Sequence, residues 1–403
     1  MTEPPGGATM VNRAFVIGVG MTKFEKPETK DWDFPDMAKE SVTKALADAG
    51  IDYETVEQAY AGSAYGSFGQ RALYDVGMSG VPITTVINAC ATGSSALFLA
   101  RQAIRAGCDV TLAVGYEKMR KGSLGAGGQK GAGMLDYHLR SMVAGRGWEN
   151  EKAPMPQMFG NAGREHMERY GSKPEHYAWI GWKNHKHSVN NPYSQFRDEY
   201  SLDDVKNAPM IYDPLTKLQC SPTSDGSGAA VLASERYVDE HELWDRAVEI
   251  AGHHIATDRA GSFDGNSSIN VVGAQVARAA AQRAMAEAEV GIEDVDVIEL
   301  HDCFSANELI TYEALGLAGE GEGHKLVEAE ETTYGGRWVV NPSGGLISKG
   351  HPIGATGLAQ CAELTWQLRG TAGARQVEGA RVGLQHNLGL GSAGAVAVYK
   401  KVA

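Results

Sequence analysis

The chain repeats its own grammar, and that repeat limits the folds open to it more than any other feature. In the first half, Arg13-Ala14-Phe15-Val16-Ile17-Gly18 reads as a strand, Glu40 to Gly50 as an amphipathic helix and Val56 to Tyr60 as a second strand. In the second half, Arg246 to Gly252 reads as a strand, Ala274 to Ala288 as a helix and Val295 to Leu300 as a strand. The helix-to-strand joints share letters: Ala49-Gly50-Ile51-Asp52 matches Val290-Gly291-Ile292-Glu293, and a valine (Val56, Val295) opens each following strand. Alternating helical and β-branched runs predict an α/β protein. Because 403 residues exceed what one core usually serves, two duplicated halves packed about a pseudo-two-fold axis are expected. The repeat sets the boundaries at 1–12 (a flexible N-terminus), 13–240 and 241–403, with 117–218 an insertion that has no counterpart in the second half.

The repeat continues into reactive residues. Val86-Ile87-Asn88-Ala89-Cys90 runs into Ala91-Thr92-Gly93-Ser94-Ser95-Ala96-Leu97, which aims a thiol at the start of a helix. Unpaired N–H groups and the helix dipole lower a cysteine pKa there, and the thiolate is the nucleophile. Taken alone, Cys90 reads equally well as a small buried residue at a strand–helix join. Its counterpart is His351-Pro352-Ile353-Gly354-Ala355-Thr356-Gly357, which also opens a helix, with Pro352 where proline starts helices well. Equivalent helix starts would let Cys90 and His351 face each other across the join.

A net charge of −13 argues against a nucleic-acid surface. Five widely spaced cysteines (Cys90, Cys108, Cys220, Cys303, Cys361) without a C-x-x-C pair predict neither a disulfide framework nor a cysteine zinc site, and fit a reducing cytoplasm. The Pro/Gly-rich stretch Met1 to Arg13 lacks the apolar core of a signal peptide, no window has the length of a membrane span, and Lys401-Val402-Ala403 is not a peroxisomal address. Cytoplasmic localisation is the expectation. Within the insertion, Lys118, Arg120, Lys121, Lys130, Arg140, Arg146 and Lys152 accompany Trp148, Trp179 and Trp182. They read either as a site for an anionic group or as a solvated excursion with scattered charge.

Three further segments are unlike packing alone. Val297-Ile298-Glu299-Leu300 is a strand ending in His301-Asp302-Cys303-Phe304, with a helix beginning near Ser305, and strand ends of α/β sheets are where ligands bind. Asn341-Pro342-Ser343-Gly344-Gly345 leads through Lys349-Gly350 to His351 and predicts close approach of backbone to a substrate. Leu384-Gln385-His386-Asn387-Leu388-Gly389-Leu390-Gly391-Ser392-Ala393-Gly394 is dense in backbone N–H groups. Gly389, Gly391 and Gly394 imitate the dinucleotide fingerprint, but the nine residues after Gly394 leave no room for its helix and second strand, so a nicotinamide or flavin is rejected. Lys183-Asn184-His185-Lys186-His187 reads as surface of the insertion, His386 as a structural residue, His253-His254 as following a strand, and Cys108, Cys220 and Cys361 as packing residues.

Asn88-Ala89-Cys90-Ala91-Thr92-Gly93-Ser94, Gly350-His351-Pro352-Ile353-Gly354-Ala355-Thr356-Gly357 and the duplicated layout resemble the thiolase superfamily, over residues 13 to 400. His301-Asp302-Cys303-Phe304 with Gln385-His386-Asn387-Leu388-Gly389 resembles the branch of 3-oxoacyl-CoA thiolases named for sterol carrier protein. Commoner thiolases carry Asn-Glu-Ala-Phe at the first motif and a Cys-x-Gly-Gly-Gly turn at the second. Cys303 is the thiol available in place of that missing cysteine.

The resemblance implies a thiolase fold, two α/β halves in five αβαβα layers with mixed five-stranded sheets and an inserted loop domain covering coenzyme A. It implies Cys90 as nucleophile, His351 as the base that takes its proton, and Cys303 as the acid/base for the acetyl-CoA enolate and the incoming thiol. His301 and His351 would donate to one oxyanion, and the backbone N–H groups of Cys90 and Gly389 to a second. It further implies acyl-CoA substrates, coenzyme A as co-substrate with no permanently bound cofactor or metal, a homodimer or tetramer, and no membrane insertion. Two rivals stand beside thiolysis: an aldolase, which the two cysteines oppose, and a lipid-binding subunit, which would need a sterol-carrier domain that the chain lacks before Ala403.

Overall fold

A computed structural model describes residues 12–120, 133–391 and 393–402. The first half supplies β1 (Ala14–Met21), β2 (Gln58–Gly62), β3 (Ile83–Val86) and β4 (Val110–Glu117). A hairpin of β5 (Met210–Tyr212) and β6 (Leu215–Thr216) follows within the insertion, then β7 (Gly226–Ser234). The second half supplies β8 (Val248–Ala256), β9 (Val297–Glu299), β10 (Val339–Val340), β11 (Val382–Gly389) and β12 (Ala393–Lys401). Ten of these form one sheet in the order β10-β9-β11-β12-β8-β1-β7-β4-β2-β3.

Read outward from its centre, that order is the same twice. β1-β7-β4-β2-β3 mirrors β8-β12-β11-β9-β10, with antiparallel pairs next to the centre and parallel pairs at the rim in both halves. The halves join through a short antiparallel contact in which Phe15 and Val16 meet Glu249 and Val248. Helices complete the layers. The helix Phe34–Ala49 covers the outside of the first half. Ala274–Ala288 and Ser305–Leu315 cover the outside of the second. Thr92–Arg105 and Thr356–Arg369 lie between the halves in a shared core of Leu97, Ala100, Ile104, Leu358, Leu364 and Leu368. This is the expected five-layer α/β arrangement.

Small residues set the layer spacing in both halves alike. A Cβ on Gly18 would lie 2.2 Å from the Ala45 carbonyl, and one on Gly252 would lie 2.0 Å from the Ala284 carbonyl, so each outer helix rests its backbone directly on its strand. The first of these helices starts earlier than the periodicity predicts, because Asp33 caps it and Asp36 answers in a capping box; Gly50, at φ 73°, ends it. Arg101, buried in the inner layer, donates to the Ile250 and Ala251 carbonyls and pairs with Glu287, tying the halves together.

The two middle helices meet at their starts with almost no side chain between them. A Cβ on Gly93 would lie 2.7 Å from the Gly354 carbonyl, one on Gly357 2.2 Å from Ser94 Oγ, and one on Gly115 2.1 Å from the Gly354 carbonyl. The insertion carries Asp136–Arg146, Pro154–Tyr170, Pro174–Ser188 and Leu202–Asn207 and packs onto the second half, where Phe159 stacks on Phe304 at 4.9 Å. Of its segment Lys183 to His187, only Lys186 is exposed. Lys183, His185 and His187 are buried, because Lys183 pairs with the buried Glu308, His185 bonds the Leu218 carbonyl, and His187 bonds the Asn341 carbonyl. His253 and His254 likewise lie within β8 rather than after it. Among the described residues, no helix is long and apolar enough to cross a membrane.

Gly115→Ala must push the Gly354 carbonyl away, and forced overpacking costs about 1–3 kcal/mol. A lowered urea midpoint with an unchanged m-value is the expected result; an unchanged midpoint would contradict this packing.

Candidate active site

After β3 the chain turns sharply into the first middle helix, and the turn is locked from within. Ala89 takes φ 47°, a left-handed conformation unusual for alanine. The Asn88 N–H donates to Thr92 Oγ1 at 2.8 Å, Thr92 Oγ1 donates to the Ala89 carbonyl at 2.6 Å, and Asn88 Nδ2 donates to Ser95 Oγ at 2.8 Å. Cys90 follows, half-buried, two residues before the helix begins at Thr92.

His351 comes from the loop before the second middle helix, but the register differs from the expected one. Both helices begin at the threonine of an Ala-Thr-Gly run, Thr92 and Thr356, which makes Gly354 the counterpart of Cys90. His351 lies a turn upstream, and Pro352 precedes the helix rather than starting it; its carbonyl accepts from the Ala355 and Thr356 N–H groups. The His351 N–H donates to Ser224 Oγ at 3.0 Å, which anchors the loop to the chain leading into β7.

From the end of β9, His301 closes the group. Cys90, His301 and His351 each offer a reactive atom, and these lie within 4.8 Å of one another. The two imidazoles stand edge to face, 5.1 Å between ring centres. Cys303 is buried beside them, close enough that the charge of Cys90 is among the causes that hold its thiol up. Gly389 ends β11 opposite Ala393, and Gly391 takes φ 77° in the turn of that hairpin.

The Gly-rich approach serves packing. A Cβ on Gly345 would lie 2.2 Å from Asp302 Oδ2, and one on Gly344 2.4 Å from the Ser188 Cβ. The close approach is made to Asp302, which accepts the Leu346 N–H at 2.7 Å and holds the strand end between His301 and Cys303. Of the insertion's basic residues, Arg146 pairs with Glu168, Arg140 lies over the Tyr137 ring and Lys118 bonds the Trp32 carbonyl. Lys121 and Lys130 lie outside the described residues.

Desolvation rules the electrostatics. Burial pushes the Cys90 thiol up to about 12, overriding the help of its own backbone N–H, so the helix start does not give a resting thiolate. Burial, with Lys349, lowers His351 to about 3; burial, His351 and His386 lower His301. Cys303 is raised for the same first cause. Thiols and imidazoles alike are neutral near pH 7.

Two imidazoles and a thiol are also a soft-metal donor set. A metal-bound histidine normally donates its other N–H outward: His351 Nδ1 faces Thr356 Oγ1, which can accept it, at 2.7 Å, whereas His301 Nδ1 faces Asn387 Nδ2, which cannot, at 3.0 Å, so one of the two imidazoles meets that requirement.

Two family models match the chain: "Thiolase, N-terminal domain" over residues 14–236 and "Thiolase C-terminal domain-like" over 265–401. The bovine protein "Sterol carrier protein 2" is 58% identical, covering 96% of this chain and 72% of its own. "Acetyl-CoA acetyltransferase" of Methanothermobacter thermautotrophicus is 35% identical over 95% of this chain and 98% of its own. In fold, the chain is similar to an "Ltp2-ChsH2(DUF35) aldolase" (TM-score 0.81, 21% identity, 96% of this chain and 98% of that one). It is also similar to human mitochondrial 3-ketoacyl-CoA thiolase in complex with CoA (TM-score 0.70, 19% identity, 98% and 99%).

The sequence reading missed Glu117, the last residue of β4, whose only sequence signal is a carboxylate ending an otherwise apolar strand. It is buried and accepts from Ser63 Oγ (2.8 Å), the Ala64 N–H (2.8 Å) and the Gly354 N–H (3.0 Å), so it ties a turn of the first half to the His351 loop. Burial raises its carboxyl to about 7 against those hydrogen bonds. The folded state therefore holds a proton that the unfolded state releases near 4.5, and stability falls as pH rises between 4.5 and about 7. Glu117→Gln removes that slope, which is worth about 3 kcal/mol across the window. Urea midpoints at pH 5 and pH 8 should differ less in the variant than in the parent; equal slopes would exclude the role.

Proposed function

The chain belongs to the thiolase family, and from that premise we propose that it cleaves 3-oxoacyl-CoA with coenzyme A, giving acetyl- or propionyl-CoA and a shortened acyl-CoA. The observation that carries the reading is the convergence of Cys90, His301 and His351 within 4.8 Å, with a second thiol, Cys303, buried alongside. A two-step acyl transfer needs a nucleophile, a base, an oxyanion donor and a second acid/base.

Cys90 Sγ attacks the 3-keto carbon while its proton passes to His351. Because both groups rest neutral, no ion pair forms in advance; positive charge appears on His351 only as negative charge appears on the ketone oxygen. His301 and the newly protonated His351 donate to one oxyanion, and the N–H groups of Cys90 and Gly389 to the other. The C2–C3 bond then breaks, Cys303 protonates the departing enolate, and the acyl group remains on Cys90. Cys303 next takes the proton of the coenzyme A thiol, which attacks the acyl-cysteine, and His351 returns its proton to Cys90. No permanently bound cofactor enters these steps.

Lipid or sterol side-chain oxidation is the setting we propose, since a relative more than half identical is named as a sterol carrier. An aldolase is the second reading, favoured by the fold likeness to an aldolase. It would use neither thiol and would form no acyl-enzyme.

The partner we propose is a second copy of the chain. Among the described residues, β3 is an edge strand of the ten-stranded sheet, and Phe68 and Ile87 beside it are 74% and 60% exposed. Two such edges related by a two-fold axis run antiparallel and can pair.

Cys90→Ser is expected to lose release of acetyl-CoA from 3-oxoacyl-CoA by roughly a thousandfold or more, with no acyl adduct by mass spectrometry; retained turnover would sink the reading. Cys303→Ala should still form the acyl adduct but fail to exchange the α-protons of acetyl-CoA with deuterium oxide. Phe68→Glu should lower the mass found by light scattering to that of one chain.

A further inference from the structure

A chain of buried side chains runs from the sheet core to His301, and each donor in it can be assigned by elimination. Gln385 Nε2 lies 2.7 Å from the Gly357 carbonyl, which only accepts, so this atom is the amide nitrogen and Oε1 points the other way. There Oε1 accepts from the Tyr399 hydroxyl at 2.6 Å. The second hydrogen of Nε2 goes to Ser94 Oγ at 2.9 Å. With that lone pair used, Ser94 spends its one hydrogen on Asn387 Oδ1, 3.0 Å away. Asn387 therefore turns its NH2 group to His301 Nδ1, at 3.0 Å. Reversing Asn387 would make Ser94 accept twice and leave its buried hydrogen without an acceptor, a costly arrangement. His301 Nδ1 thus accepts, and its proton sits on Nε2.

His351 is fixed the opposite way. Thr356 Oγ1 lies 3.1 Å from the Pro352 carbonyl, which can take its hydrogen; with the hydrogen there, Oγ1 accepts from His351 Nδ1 at 2.7 Å. The proton sits on Nδ1, and Nε2 keeps a free lone pair.

We infer that Asn387, oriented by Ser94, Gln385 and Tyr399, is a positioning residue that locks His301 as the Nε2–H tautomer, while Thr356 locks His351 as its complement, so that one imidazole donates and the other accepts. Four of the side chains come from the second half and Ser94 from the first, so the lock closes only when the halves are docked. The inference rests on the acyl-transfer reading for the use made of the proton; the tautomers themselves do not depend on it.

Nitrogen-15 correlation spectra of the histidine rings in the 403-residue chain test it directly. In the parent, His301, assigned by its loss in His301→Gln, should show a protonated Nε2 and a bare Nδ1, and His351 the reverse. Asn387→Asp offers only acceptors, so His301 should move its proton to Nδ1; kcat for thiolysis should fall about a hundredfold or more with KM changed less than threefold. Ser94→Ala should give mixed His301 tautomers and an intermediate kcat, with Ser94→Thr restoring both. Ser94→Ala also serves as the test if Asn387→Asp fails to fold. A parent His301 protonated on Nδ1, or a tautomer unmoved in these variants, overturns the inference. Correct tautomers in a protein without thiolysis would leave it standing and overturn the proposed function alone.

Discussion

Everything at the site depends on the near-absence of side chains where the two middle helices begin. Gly93, Gly354 and Gly357 let backbone meet backbone there, and Gly115 lets β4 press against the same point. Cys90 projects from one helix start and His351 from the loop before the other, so their separation is a packing distance set by hydrogen atoms where methyl groups would stand. A loop alone would have to pay in entropy for such a geometry. Here it follows from the duplication, since two copies of one strand–turn–helix unit pack about their common axis with their reactive ends together.

The second constraint is dryness. Nearby charges are cancelled in pairs, Lys349 with Glu299 and Lys183 with Glu308, all four buried. The residues aimed at the site are neutral because burial penalises every charged form. A permanent thiolate–imidazolium pair is the alternative design, and it needs a resting charge that this site does not solvate. What the protein supplies in its place is direction: hydrogen bonds that decide which ring nitrogen gives and which takes before any substrate arrives.

Much of this was legible in the sequence. Repeated strand–helix–strand grammar announced the duplicated sheet, and the helix Ala274–Ala288 begins and ends where its periodicity says. Cys90, His301, Cys303 and His351 stood out because reactive residues sat at strand ends or helix starts. The misreadings share one cause. Lys183 to His187 looked like surface because its compensating partners, Glu308 and the Leu218 and Asn341 carbonyls, come from distant segments that no local pattern names. Aligning Cys90 with His351 by letters gave the right encounter through the wrong register, since the structure repeats Ala-Thr-Gly and sets the histidine a turn upstream. Asn387 was read as part of a motif without a role, because that role is defined by Ser94, 293 residues away.

Complementary tautomers also bear on the direction of the proposed reaction. If His301 only donates and His351 rests as an acceptor, the same pair serves cleavage and condensation, because each elementary step is run backward by the same proton carriers. Neither histidine needs to change tautomer during the cycle: His351 gains and loses a proton on Nε2 alone, with Nδ1 held by Thr356, while His301 keeps its proton throughout. A site built this way sets no preferred direction of its own. Under the proposed reaction, the supply of coenzyme A against acetyl-CoA would decide which way the carbon–carbon bond goes, and one geometry would serve both directions.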